Sequence, residues 1–233
     1  MKNLLFTLFL LVPIFGFSAS VQVTFTNQAD LDAYNFIPNQ AYWVHLINDT
    51  TLPVSDQIYD LQAVVTIDTI LLELKNTLVT DIGLLSSTVS LSLVMEGNKN
   101  FDTLFIPSNI TGLSLYCMQT YLEYIYGAEE VEVGGEFYFY DNDLLKSVSL
   151  NLLKMQNLNV TGIVKLSVQQ NDSLKTFYWN NPHHQLNTIS FFENRELKHV
   201  HIETTMDKVY DGPLTGSGGF NFNPELDSIT GFK

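Results

Sequence analysis

The chain is 233 residues long and carries 11 basic against 25 acidic residues, a net charge of −14, so a phosphate backbone is repelled and nucleic acid is set aside as a partner. Its one cysteine, Cys117, excludes an internal disulfide, and an exported form would rest on packing and backbone hydrogen bonds alone. A length of this order fits one elongated domain.

The first twenty residues read as a secretory signal peptide: Lys2 supplies the positive start, an apolar run follows from Leu4 to Val12, and Ser18-Ala19-Ser20 offers small residues to a peptidase. That run is short for a membrane span, and no later stretch approaches the roughly 20 apolar residues a spanning helix needs. The expected organisation is a signal peptide over 1–20, an N-terminal cap over 21–60 and a repeat domain over 61–233. Within the cap, Asn27 ahead of Ala29-Asp30-Leu31-Asp32 predicts a short helix with an asparagine N-cap. Residues 61–85, rich in alternating Val, Ile and Leu, predict one or two degenerate coils.

From about residue 90 a register recurs, with an apolar pair two apart, an asparagine three further on, and apolar residues three, six and eight after it. One copy holds Leu93, Met95, Asn98, Phe101, Leu104 and Ile106. Equivalent sets run through Phe137, Phe139, Asn142 and Leu145, through Leu166, Val168, Asn171 and Leu174, and through Ile189, Phe191, Asn194 and Leu197. A weaker copy carries Phe220, Asn223 and Leu226, and a degraded one, around Leu113, Leu115, Leu122 and Ile125, takes Gln119 as an imperfect anchor. Anchors at 98, 119, 142, 171, 194 and 223 are 21, 23, 29, 23 and 29 residues apart, close to the 20–29 residues of leucine-rich coils.

Alternation in the apolar pair puts one face of a short strand toward an interior, and successive coils stack as a parallel sheet. The asparagines Asn98, Asn142, Asn171, Asn194 and Asn223 then form an inward ladder whose amides bond to neighbouring main chain. Gly134-Gly135, Thr161-Gly162 and Gly216–Gly219 are expected to supply corners at positive φ. The fold class is therefore all-β with minor α, a parallel β-solenoid with a short N-terminal capping segment.

The segment Val133-Gly134-Gly135-Glu136-Phe137-Tyr138-Phe139-Tyr140-Asp141-Asn142-Asp143-Leu144-Leu145 resembles a coil of the receptor L domains and of leucine-rich-repeat-like surface proteins, and the likeness extends over residues 90 to 232. The resemblance implies a right-handed β-helix and a non-catalytic role in recognition, adhesion or wall organisation, with an extracellular protein or glycan as partner and no cofactor. The family shares a scaffold and no common site, so it implies no binding residue.

Candidate sites come from alternation alone. Tyr116, Tyr138, Tyr140 and Tyr178 fall between inward residues and are expected to form one exposed aromatic strip for a carbohydrate or protein. His199, His201 and Glu203 flank core positions on one strand and are weighed as metal ligands against a plain solvated face; the pair His183-His184 beside Pro182 reads as loop. Asp141, Asp143 and Asp172 crowd the turns, where they cap backbone amides more readily than they assemble a glycan-cleaving pair. With no nucleophile-elbow, phosphate-loop or zinc-protease signature, an enzyme stands behind two readings, a recognition module and a structural envelope component. Self-association through an uncapped C-terminal coil is a further expectation. Sequons at Asn48, Asn109, Asn159 and Asn171 count only in a eukaryotic secretory pathway.

Overall fold

The computed structural model describes residues 20–64, 67, 69–82, 90–107, 110, 112–128, 131, 133–152, 164–181, 186–204, 219–221 and 223–232. Residues 1–19 of the expected signal peptide, the histidines His183 and His184, the sequons at Asn109 and Asn159, and Gly162, Gly216 and Gly218 lie outside them.

Strands dominate, and all their pairings are parallel. Nine form a large sheet in the order β1 (Val21–Phe25), β2 (Tyr42–Ile47), β3 (Thr69–Lys75), β4 (Ser90–Glu96), β6 (Gly112–Met118), β8 (Val133–Tyr140), β10 (Val164–Gln169), β12 (Leu186–Phe192) and β14 (Gly219–Asn221). Six form a second sheet in the order β5 (Thr103–Ile106), β7 (Tyr124–Gly127), β9 (Ser147–Asn151), β11 (Thr176–Asn181), β13 (His199–Thr204) and β15 (Ser228–Phe232). From β4 onward the chain alternates between the two sheets, one strand in each. The apolar residues six and eight after the asparagine, which the sequence gives only as a spacing, thus belong to a sheet of their own.

Alternation sets the inner faces. Val44, Leu72, Leu93, Leu115, Phe137 and Leu166 lie in register across the large sheet, and Leu104, Ile125, Val148, Phe177 and Val200 across the small one. All of these are buried, and burying each such side chain contributes about 1.5–3 kcal/mol. The two faces meet through edge-to-face rings, Phe137 on Trp179 at 4.7 Å and Phe177 on Phe191 at 5.0 Å.

The segment expected only to cap the domain already pairs. β1 and β2, both within 21–60, are the first two strands of the large sheet. Between them lies the helix α1 (Gln28–Ala33), where the Asn27 side chain accepts from the Asp30 N–H at 2.9 Å.

Each passage from the large to the small sheet takes five or six residues: 97–102, 119–123, 141–146, 170–175, 193–198 and 222–227. Its first residue stands in the left-handed region at Gly97 (φ 66°), Gln119 (52°), Asp141 (54°), Gln170 (54°) and Glu193 (56°), as does Asn76 (53°) after β3. These corners therefore run on mostly non-glycine residues. Gly134-Gly135 belongs to β8, and a Cβ at Gly135 would collide with the Ser114 hydroxyl, so close approach of neighbouring strands is what that glycine serves.

The second corner residue is the buried polar column. Asn171 Nδ2 donates to Asn194 Oδ1 at 3.1 Å and to Phe139 O at 3.0 Å, while Asn171 Oδ1 accepts from Asn142 N at 3.2 Å and Asn142 Nδ2 at 2.9 Å. Asn194 bonds to Asn223 in the same way, and Asn142 Oδ1 accepts from Thr120 N and Oγ1 at 3.0 and 2.6 Å. Thr77 N and Oγ1 bond to Asn98 Oδ1 at 3.0 and 2.9 Å. The degraded coil thus enters the column through Thr120, not Gln119, and the column begins one step earlier at Thr77. Partners along it lie 21, 22, 29, 23 and 29 residues apart. A short turn follows Asn142, Asn171, Asn194 and Asn223, closed by Leu145 N, Leu174 N, Leu197 N and Leu226 N on the asparagine carbonyl at 3.0–3.3 Å. Among the described residues no helix is long and apolar enough to cross a membrane.

Candidate functional site: an exposed aromatic row on the small sheet

The outward positions of the two sheets differ in chemistry, and the four tyrosines expected in one strip are divided between them. Tyr116 and Tyr138 are register partners on the large sheet, with Tyr140 two residues on. Tyr116 is not exposed: it retains 4 % of its surface, lies between its register partners Val94 and Tyr138, and donates its hydroxyl to Glu136 Oε2 at 3.0 Å. Glu136 Oε1 in turn accepts from Lys165 Nζ at 2.7 Å. Burial first, then the Glu136 charge, pushes the Tyr116 phenol well above its ordinary pKa, and burial with Tyr140 nearby raises Tyr138. Tyr138 and Tyr140 are half-buried and stack at 5.9 Å, 11° from parallel.

Farther along the same outer face, His45 Nδ1 meets Glu73 Oε2 at 2.6 Å and its Nε2 faces Gln22 Nε2 at 3.0 Å, with the Trp43 ring stacked on the imidazole at 4.8 Å. The Trp43 indole N–H is buried without a hydrogen-bond partner. This group was not singled out from the sequence, because its members lie on three strands that only the register brings together.

Tyr178 belongs to the small sheet, in register with Ser149 on β9 and His201 on β13. Ser149 is in turn in register with Tyr126 on β7, and Tyr126 with Phe105 on β5. Phe105, Tyr126 and Tyr178 expose 46 %, 43 % and 37 % of their surfaces, a large solvent-facing aromatic area on one rigid sheet. Tyr178 and His201 stack at 4.8 Å, 5° from parallel, and Phe105 and Tyr126 lie 5.2 Å apart at 57°. Tyr124, one row away on β7, is also exposed.

The rest of this face is hydroxyl and amide. Thr176 Oγ1 donates to Ser147 Oγ at 2.9 Å on one side of the row, and Asn180 Nδ2 to Asn151 Oδ1 at 3.0 Å on the other. Phe105, Tyr124 and Tyr126 escaped the sequence reading. The alternation around inward Leu104, Ile106 and Ile125 was the available signal.

His199, His201 and Glu203 do share the outer face of β13, yet each histidine is spent on a neighbour, His199 Nδ1 on Ser228 Oγ at 3.0 Å and His201 Nδ1 on Thr230 Oγ1 at 2.9 Å. Among the described residues no group of three or more His, Cys, Asp or Glu side chains is placed to hold a metal ion. Asp141, Asp143 and Asp172 gather with Gln170, Glu193 and Arg195 around an open depression at the corners. There Gln170 Nε2 bonds Glu193 Oε2 at 2.7 Å and Arg195 meets Asp172 at 3.5 Å. Asn48 and Asn171 are buried, so neither sequon presents an accessible amide for glycosylation.

No protein-family model, curated protein or solved structure matches this chain.

Proposed function

We propose that the protein is an exported, non-catalytic recognition module, a right-handed β-solenoid of the receptor L-domain-like type that displays a binding face outside the cytoplasm. The solenoid reading is supported by two all-parallel sheets between which the chain alternates, and by the hydrogen-bonded column at one corner. The observation that carries the recognition role is the exposed row Phe105, Tyr126, Tyr178 and His201, held in register on a sheet whose inner face is packed. Aromatic side chains bury much area at low entropic cost, which makes such a row a natural anchor for a partner.

The test is a Tyr126→Ala, Tyr178→Ala double variant run beside the parent chain on extracellular-protein and glycan arrays. Both positions are exposed, so the thermal midpoint is expected to stay within a few degrees, while retention on whichever feature captures the parent is lost. Equal retention of the two proteins removes the row as the binding face.

A structural envelope role is the second reading, favoured by β14 and β15, the terminal strands in the order of their sheets. An open parallel edge is a template for a further chain. That reading requires light scattering to detect oligomers that grow with concentration, and a strict monomer at high concentration removes it.

A further inference from the structure

The aromatic row has one position without a ring. Tyr178 and His201 are 4.8 Å apart and nearly parallel, too close to lie side by side in one plane, so they stack face to face. The other face of Tyr178 therefore turns toward β9. There the register partner is Ser149, small and exposed, and beyond it stands Tyr126 with its own neighbour Phe105. Tyr126 and Tyr178 are two strand spacings apart, about 9.6 Å, enough for one flat ring between them at about the separation that Tyr178 keeps from His201.

We infer that this notch over Ser149 receives one uncharged pyranose ring of a glycan, sandwiched between Tyr126 and Tyr178, an assignment that rests on the proposed recognition role of the row. The lining selects the ligand. A ring standing between the two tyrosines presents its faces to aromatic π-systems and its rim to the sheet. A pyranose with equatorial hydroxyls has C–H groups on its faces and hydroxyls around its rim, and the negative faces of tyrosine rings favour C–H groups.

The rim would meet the Ser149 hydroxyl below, the Ser147 and Thr176 hydroxyls at one end, and the Asn151 and Asn180 amides at the other. After the bonds those groups make to each other, the Ser147 hydroxyl proton and the Asn151 amide N–H groups remain to donate to ligand oxygens. An aromatic side chain of a protein partner would fill the same gap but set an apolar rim against these polar groups, leaving them unpaired. Charge narrows the class further: the chain carries −14 and Glu203 is the register partner of Asn180, so uronate or sulfated glycans are repelled.

The experiment uses the full chain and saturation-transfer NMR with titration calorimetry. The probes are neutral tetrasaccharides of β-linked glucose, mannose and N-acetylglucosamine, with a galacturonate tetramer as the anionic probe. Binding of at least one neutral probe is expected, with saturation concentrated on the ring C–H protons of a single unit, and no binding of the galacturonate. Tyr178→Ala is expected to weaken that binding by at least about tenfold. Ser149→Tyr, which puts a ring of the chain's own in the gap, should abolish it while leaving the thermal midpoint unchanged or raised.

Retention of neutral-glycan binding by Ser149→Tyr overturns the inference, as does equal or stronger binding of galacturonate, or no binding of any neutral probe. If no glycan binds yet a protein feature captures the parent chain and not Tyr178→Ala, the recognition face stands and the glycan assignment falls.

Discussion

Replacing Asn171 by alanine probes the buried column at a fully bonded member. Its amide makes three donor contacts, to Phe139 O, Gln169 O and Asn194 Oδ1, and its oxygen accepts two, from Asn142 N and Asn142 Nδ2. Truncation leaves the buried Asn142 N–H without that acceptor, a loss of about 1–3 kcal/mol. The remaining lost bonds and the unfilled volume bring the expected destabilisation to about 3–5 kcal/mol, a large part of the 5–15 kcal/mol by which a domain is stable. Urea unfolding followed by circular dichroism should show a lower midpoint with an unchanged slope. A double variant with Asn142→Ala should cost less than the two singles together, because the residues share bonds. A loss below about 1 kcal/mol at Asn171, or strict additivity with Asn142, would refute the idea that the column fixes coil to coil.

Three further outcomes follow from other parts of the molecule. Burial pushes the Cys117 thiol from 9.0 up to about 12. Below pH 9 both states are protonated and stability is intact; above it the unfolded thiol ionises first, so stability should fall by about 1.4 kcal/mol per pH unit until about pH 12. Tyr116, also raised, steepens the loss above pH 10, and Cys117→Ala should make the decline shallower in denaturation curves taken from pH 8 to 11. Phe177→Ala, which removes a fully buried ring packed on Phe139 and Phe191, should cost about 3–5 kcal/mol in urea melts. Gly127→Ala places a Cβ against the Ile106 carbonyl at φ 108° and should cost about 2–4 kcal/mol from backbone strain and overlap together, read as a lower thermal midpoint.

The parts of this architecture legible in the sequence are those in which each residue declares its own side. Apolar residues two apart named the inner face of the large sheet, and asparagine, whose amide can donate and accept at once, marked the corner. Thr77 and Thr120 hid in the same column because threonine contributes a hydroxyl and its own N–H to the same acceptor, which no amide-based pattern detects. The left-handed corner residues Gln119, Asp141, Gln170 and Glu193 hid likewise, since the asparagine was read as the corner and the turn falls on the residue before it, where Gln119, Asp141 and Gln170 are bonded to the next strand. For the candidate site, alternation rightly turned Tyr178 outward but could not tell that Tyr116 and Tyr178 stand on different sheets. Which outward residues become neighbours depends on register between strands more than 20 residues apart in sequence, and only the fold supplies that.

The corner beside the asparagine column holds a nearly constant five or six residues between a strand of the large sheet and the next strand of the small one. That near-constant length sets each small-sheet strand at a similar offset from the large-sheet strand before it. The outward rings Phe105, Tyr126 and Tyr178, each a few residues past such a corner, are thereby kept in line across the small sheet.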